Sequence, residues 1–158
     1  MTCVLSRLGA LRRLVCMAHF DFTKTHKRTY AAAGALELAA RSGLTREQRL
    51  LVELRASYLN NCNFCINMHS EEAIKHGYGE QWCEAIRDWE PGNDSDTFTA
   101  EQALILEFTT MGTRLSEGYD PELQERVVSE FGEKLTGALI SEIAAINTWN
   151  RISVLSEK

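Results

Sequence analysis

From residue 31 onward the chain is a succession of helix start and stop signals with no convincing period-two stretch among them. That pattern restricts the fold to packed helices. Residues 31–41 read as one helix, stopped by Ser42-Gly43, where glycine suits a left-handed cap. Thr45 starts the next, with Gln48 completing a capping box, and Leu50, Leu51, Leu54 and Leu59 form its apolar side. Asn60-Asn61 breaks it. A helix over 62–76 ends at Gly77, and one over 80–90 carries Trp82, Ile86 and Trp89. Residues 91–96 are a polar loop. Thr97 or Thr99 then caps a helix to Leu115, with Leu104, Ile105, Phe108 and Met111 inward. Asp120-Pro121 opens a short helix to Phe131-Gly132, and 135–155 forms the last, burying Leu139, Ile143, Ile146 and Ile152. Composition agrees: 18 Leu and 16 Ala stand against 6 Val and 8 Ile. The expected fold is all-α, a single-domain bundle of six to seven helices.

At 158 residues the chain can bury one core without disulfide staples. Its net charge of −5 argues against non-specific nucleic-acid binding, and no apolar run is long enough to span a bilayer. Residues 1–28 nevertheless carry six Lys/Arg and only Asp21. Arg7, Arg12 and Arg13 interrupt the apolar start, which makes a poor secretory signal. Residues 1–17 are therefore expected to be a disordered or non-native, dispensable extension, with the domain proper at 18–158. Five cysteines, an odd number, fit a reducing cytoplasm better than a stapled secreted domain.

Chemistry concentrates in Cys62-Asn63-Phe64-Cys65-Ile66-Asn67-Met68-His69. On a helix, Cys62, Cys65 and His69 stack on one face, with the thiols within bridging range. The helix N-terminus favours thiolate over thiol, and such a pair can reduce an oxidant and close to a disulfide. Inert packing is the competing reading, and it suits Cys3, Cys16 and Cys83 better. Structural zinc usually takes four ligands, and no second Cys/His pair follows at suitable spacing, so no metal or other cofactor is expected. His19 and His26 are expected on the surface. Glu47 and Glu53 read individually as surface charges, yet a hairpin through Asn60-Asn61 would bring Glu53 beside His69, able to hold it as a proton acceptor.

With Ser42-Gly43-Leu44, Leu54-Arg55-Ala56-Ser57, the Cys62–His69 segment, Phe98-Thr99-Ala100-Glu101 and Ala145-Ile146-Asn147-Thr148-Trp149-Asn150-Arg151, the chain resembles the alkyl hydroperoxide reductase D / carboxymuconolactone decarboxylase superfamily. The likeness is nearest to its peroxidase-related branch and runs from about Tyr30 to Leu155. It implies a homotrimer or homohexamer of helical protomers and a thiol peroxidase activity. Cys65 would become the sulfenic acid, Cys62 would resolve it, and His69 would be the family histidine. The family's relay glutamate falls on Leu50 here, and a histidine found in some members falls on Phe64.

The site residues expected from sequence are thus Cys65, Cys62, His69 and Glu53, the last partly replacing the glutamate missing at Leu50. The expected activity is reduction of a small hydroperoxide, with recycling by a dithiol or a redox adaptor protein. A lyase acting on a small lactone acid and a non-catalytic redox-sensing or binding protein are the alternatives. Cys62, at the very start of its helix, is expected to be the more open thiol.

Overall fold

The structure, a computed structural model, describes residues 3–4, 15–16, 21–92 and 97–156. Among these the chain is helical apart from one antiparallel pair, β1 (Cys3–Val4) and β2 (Val15–Cys16), in the segment read as an extension. The helices are α1 (Phe22–Thr25), α2 (Lys27–Ala40), α3 (Arg46–Leu59), α4 (Asn63–Lys75), α5 (Gly79–Asp88), α6 (Ala100–Thr113) and α7 (Pro121–Leu155), with a 3-10 turn at Leu115–Glu117. The all-α expectation holds.

Local chemistry places the boundaries. Thr45 and Thr99 each accept a hydrogen bond from the backbone N–H three residues on, and Gln48 and Gln102 return the bond. Asp120 caps α7 through the N–H groups of Glu122 and Leu123, with Pro121 in the first turn. The two helices expected over 121–155 follow one another with only Gly132 departing from helical geometry between them (φ 72°, ψ 166°). At the other end, α2 starts at Lys27 and not at residue 31, preceded by the single turn α1 that Asp21 caps. Of α2 only Ala33 and Ala40 are buried, so the hydrophobic pattern carried little information about its first turn.

Helix α3 is the centre of the bundle, packed by α4, α5, α6 and α7. Every residue from Leu50 to Ser57 is buried, polar ones included. Leu50, Leu51 and Leu54 are fully buried, each contributing roughly 2 kcal/mol to the folded state. Leu59, Met111 and Ile152, expected in the core, are only half-buried. Arg55 is buried too and forms no salt bridge among the described residues, although the charge of Glu90 favours its ionised form. Its guanidinium instead donates to Thr110 Oγ1 at 2.9 Å and to the carbonyls of Ile86 and Arg87 at 3.2 Å each, and stacks over Trp89. A cation at the C-terminal carbonyls of α5 complements that helix's dipole, which lets a buried charge act as a structural clamp.

Candidate active site

The turn between α3 and α4 positions the cysteines. Asn60 closes α3 and Asn61 adopts a left-handed φ of 53°, a conformation that asparagine tolerates better than most residues. Asn60 Nδ2 donates to Asn147 Oδ1 at 3.0 Å and Asn150 Oδ1 at 2.9 Å, both on α7. Asn150 Nδ2 in turn donates to Ser57 Oγ at 3.1 Å, and Arg151 donates to Asn147 Oδ1 at 3.0 Å. Asn147, Asn150 and Arg151 of α7 therefore form a polar clamp on the turn that delivers the cysteine pair. A buried network of this kind is stable because each member finds a partner.

Cys62 sits at the N-cap of α4 with non-helical backbone (φ −85°, ψ 86°), not in its first turn as expected. The pair is still within bridging range: Cys62 and Cys65 have Cα atoms 5.4 Å apart and sulfurs close to disulfide distance. The expectation of an open Cys62 is corrected. Its exposure is 1 % against 2 % for Cys65, because the turn is pressed against α7. Only Cys65 of the two lines the adjacent cavity, a space of about 220 Å³ between α2, α3, α4 and α7. Ser153 of α7 lies with its hydroxyl 3.8 Å from Cys65 Sγ.

His69 lies one turn beyond Cys65 on α4, buried at 3 %. Glu53, buried at 2 %, reaches it across the α3–α4 hairpin, with Oε2 3.2 Å from His69 Nδ1. The two are at ion-pair distance but off the line of a hydrogen bond, so Glu53 Oε2 and both His69 ring nitrogens are buried without a hydrogen-bond partner. Glu53 Oε1 faces Arg49 at 3.6 Å, and Arg49 also binds Glu72 at 2.8 Å. Burial works against ionisation of Glu72, yet the Arg49 bond and charge hold its carboxyl below the usual range. Ligand atoms of Glu53, His69 and Glu72 lie within 4.8 Å of one another, a spacing a cation could use. Arg49 already supplies positive charge to both carboxylates, which favours proton handling over metal ligation there.

The sequence-predicted set, Cys62, Cys65, His69 and Glu53, is thus brought together in one place. Leu50, at the register of the absent relay glutamate, is fully buried in the core. Glu47 is half-buried and His26 exposed, while His19 lies outside the described residues. Cys83 is buried, and burial pushes its thiol up, away from reactivity. The side chains of Cys3 and Cys16 lie outside the described residues.

One group at the site was missed from sequence. Glu142 on α7 lines the cavity at 1 % exposure, and burial, then the charge of Glu53, pushes its carboxyl up to about 8. The signal was present: position 142 falls on the inward stripe with Leu139, Ile143 and Ile146, where a carboxylate is out of place. The rest of the lining combines apolar side chains, Phe64, Met68, Ile146 and Trp149, with the ion pair of Arg41 and Glu37, and Tyr30 lies edge-on to Trp149.

Known proteins resemble this chain in sequence and in fold. The profile of the carboxymuconolactone decarboxylase family matches residues 25–100. An uncharacterized protein of Bacillus subtilis (strain 168), YdfG, is 35% identical over 114 residues, 72% of this chain and 76% of its own. The chain belongs to the carboxymuconolactone decarboxylase family. Among solved structures, a protein of unknown function from Agrobacterium tumefaciens, with a suggested identity as the antioxidant defence protein AhpD, superposes with a TM-score of 0.82. It is 30% identical, and the match covers 89% of this chain and 95% of that one. An uncharacterized peroxidase-related protein from Silicibacter sp. TM1040 shares the fold at a TM-score of 0.69 and 18% identity, over 83% of this chain and 69% of its own. Membership in this family agrees with the resemblance read from the cysteine–histidine segment and from 145–151.

Proposed function

We propose that the protein is a thiol-dependent oxidoreductase that reduces small hydroperoxides through Cys65 and Cys62. The observation that carries this reading is the pairing of the two sulfurs beside a cavity into which Cys65, His69 and Glu53 all face. In the reduced protein, His69 takes the proton of Cys65, and the carboxylate of Glu53 stabilises the imidazolium. The thiolate attacks one peroxide oxygen, so that an S–O bond forms as the O–O bond breaks. The departing alkoxide or hydroxide recovers a proton from His69. Cys62 then attacks the sulfenic sulfur of Cys65, closing the disulfide and releasing water. Two electrons from a dithiol, free or carried by a redox adaptor protein, return the pair to its thiols.

Glu53 takes the place of the relay glutamate absent at Leu50, one turn further along α3. The same reading includes a homotrimer or homohexamer and a cytoplasmic setting. No helix among the described residues is long and apolar enough to cross a membrane.

The test is hydroperoxide consumption by the purified protein with a dithiol reductant. Cys65→Ser is expected to abolish it, and Cys62→Ser to accumulate a sulfenic acid that a dimedone-type probe labels. Labelling confined to Cys65→Ser would reverse the two roles. A wild type that neither consumes peroxide nor forms the disulfide in its presence would overturn the proposal. Disulfide formation without turnover would mark a redox-sensing protein instead.

A further inference from the structure

Glu142 has no part in the steps above, yet its placement is not that of a surface acid. Its side chain is fully buried on α7, it lines the same cavity as Cys65 and His69, and its Oε2 has no hydrogen-bond partner in the ordinary sense of a donor. It is not a candidate to touch the thiol. Ser153, which does lie against Cys65, is three helical turns further along α7, roughly 16 Å of rise. What Glu142 shares the cavity with is Glu53, equally buried and with its own Oε2 unpartnered, whose charge favours the protonated form of Glu142. Two buried carboxyl groups brought together can share a hydrogen bond only while one of them keeps its proton.

We infer that Glu142 is a positioning residue for the relay: its carboxylic acid donates a hydrogen bond to Glu53 and holds that carboxylate ionised against His69. The pair then carries one negative charge and one proton. This inference rests on the relay proposed above, but it concerns how the base is held and not which substrate is reduced.

The surroundings fit a pair of this kind. On α3, Arg49 faces Glu53, and with Arg41 at the end of α2 it pulls Glu142 toward ionisation. Burial and the charge of Glu53 outweigh both. Besides Cys65, Tyr30 and Glu37 of α2 and His69 and Glu72 of α4 are the remaining titratable groups around the cavity. As pH rises through about 8, Glu142 loses its proton, and repulsion between two carboxylates replaces the hydrogen bond that held Glu53. The relay is then disordered at its base.

Three proteins separate this role from packing: wild type, Glu142→Gln and Glu142→Leu. Glutamine still donates a hydrogen bond to Glu53 but cannot ionise, whereas leucine fills the space and donates nothing. Two readouts are taken across pH, the rate of Cys65 oxidation by hydroperoxide and the rate of alkylation of the reduced thiol by iodoacetamide. Wild type should show an alkaline inflection near 8 in both. Glu142→Gln should lose that inflection and keep the neutral-pH rate. Glu142→Leu should be slower at every pH, by about 10-fold or more, as for loss of a group that orients a reacting histidine. An inflection that persists in Glu142→Gln, or a leucine variant with wild-type rates, would overturn the inference. A wild type that is inert to peroxide would overturn the peroxidase reading alone, because alkylation still reports on how Cys65 is deprotonated.

Discussion

Glu142 binds its proton more tightly in the folded chain than in the unfolded one, because burial and then the charge of Glu53 disfavour its ionised form. Between the ordinary value of 4.5 and about 8, the folded state holds a proton that the unfolded state has released. Stability through this group is therefore greatest at acid pH and falls as pH rises across that window. Glu142→Gln removes the dependence. Its urea midpoint is expected to gain on wild type steadily from about pH 5 to about pH 8, and a gap that stays constant would show that Glu142 titrates like a surface acid. At this scale, the thiols and His69 were legible because their spacing is local to one helix. Glu53 was legible through the hairpin geometry. Glu142 showed only as a carboxylate on an inward stripe, because its partner Glu53 lies nearly ninety positions away in sequence. The burial of Cys62 was missed for the same reason, since it depends on α7 closing over the turn.

Helix ends were the most readable feature of the elements. Thr45-Gln48, Thr99-Gln102 and Asp120-Pro121 act through bonds within a few residues, so the sequence holds everything they need. The start of α2 was misplaced because a short solvent-facing first turn has no apolar stripe to announce it. Gly132 makes an element-scale prediction. Its φ of 72° with ψ of 166° belongs to a region nearly reserved for glycine, although a side chain there would meet nothing within 4 Å. Gly132→Ala should thus destabilise by about 1–3 kcal/mol through backbone strain alone, measurable by denaturant unfolding. A neutral result would mean that α7 can run straight through this position, with its two segments re-aimed against α3 and α6.

The whole molecule leaves apolar side chains in water. Leu38 and Leu155 are 72 % and 76 % exposed, and Leu36, Phe64, Met68, Ile74, Leu115, Tyr119, Ile140 and Val154 are also exposed. Association of copies would cover such side chains, which agrees with the proposed trimer or hexamer. Light scattering at micromolar concentration is expected to give a multiple of the 17.8 kDa chain mass, and a monomeric mass would count against the assembly. The cavity described above is walled by helices from both halves of the chain, and the family profile ends at residue 100. The matched portion supplies Cys62, Cys65, His69 and Glu53, whereas Glu142, Ile146, Trp149 and Ser153 lie beyond it. The family profile therefore spans the two cysteines, His69 and Glu53 that the proposed reaction uses but leaves the opposite wall unspecified. If the proposed chemistry holds, two proteins recognised by that half alone can share it and still differ in which substrate they admit.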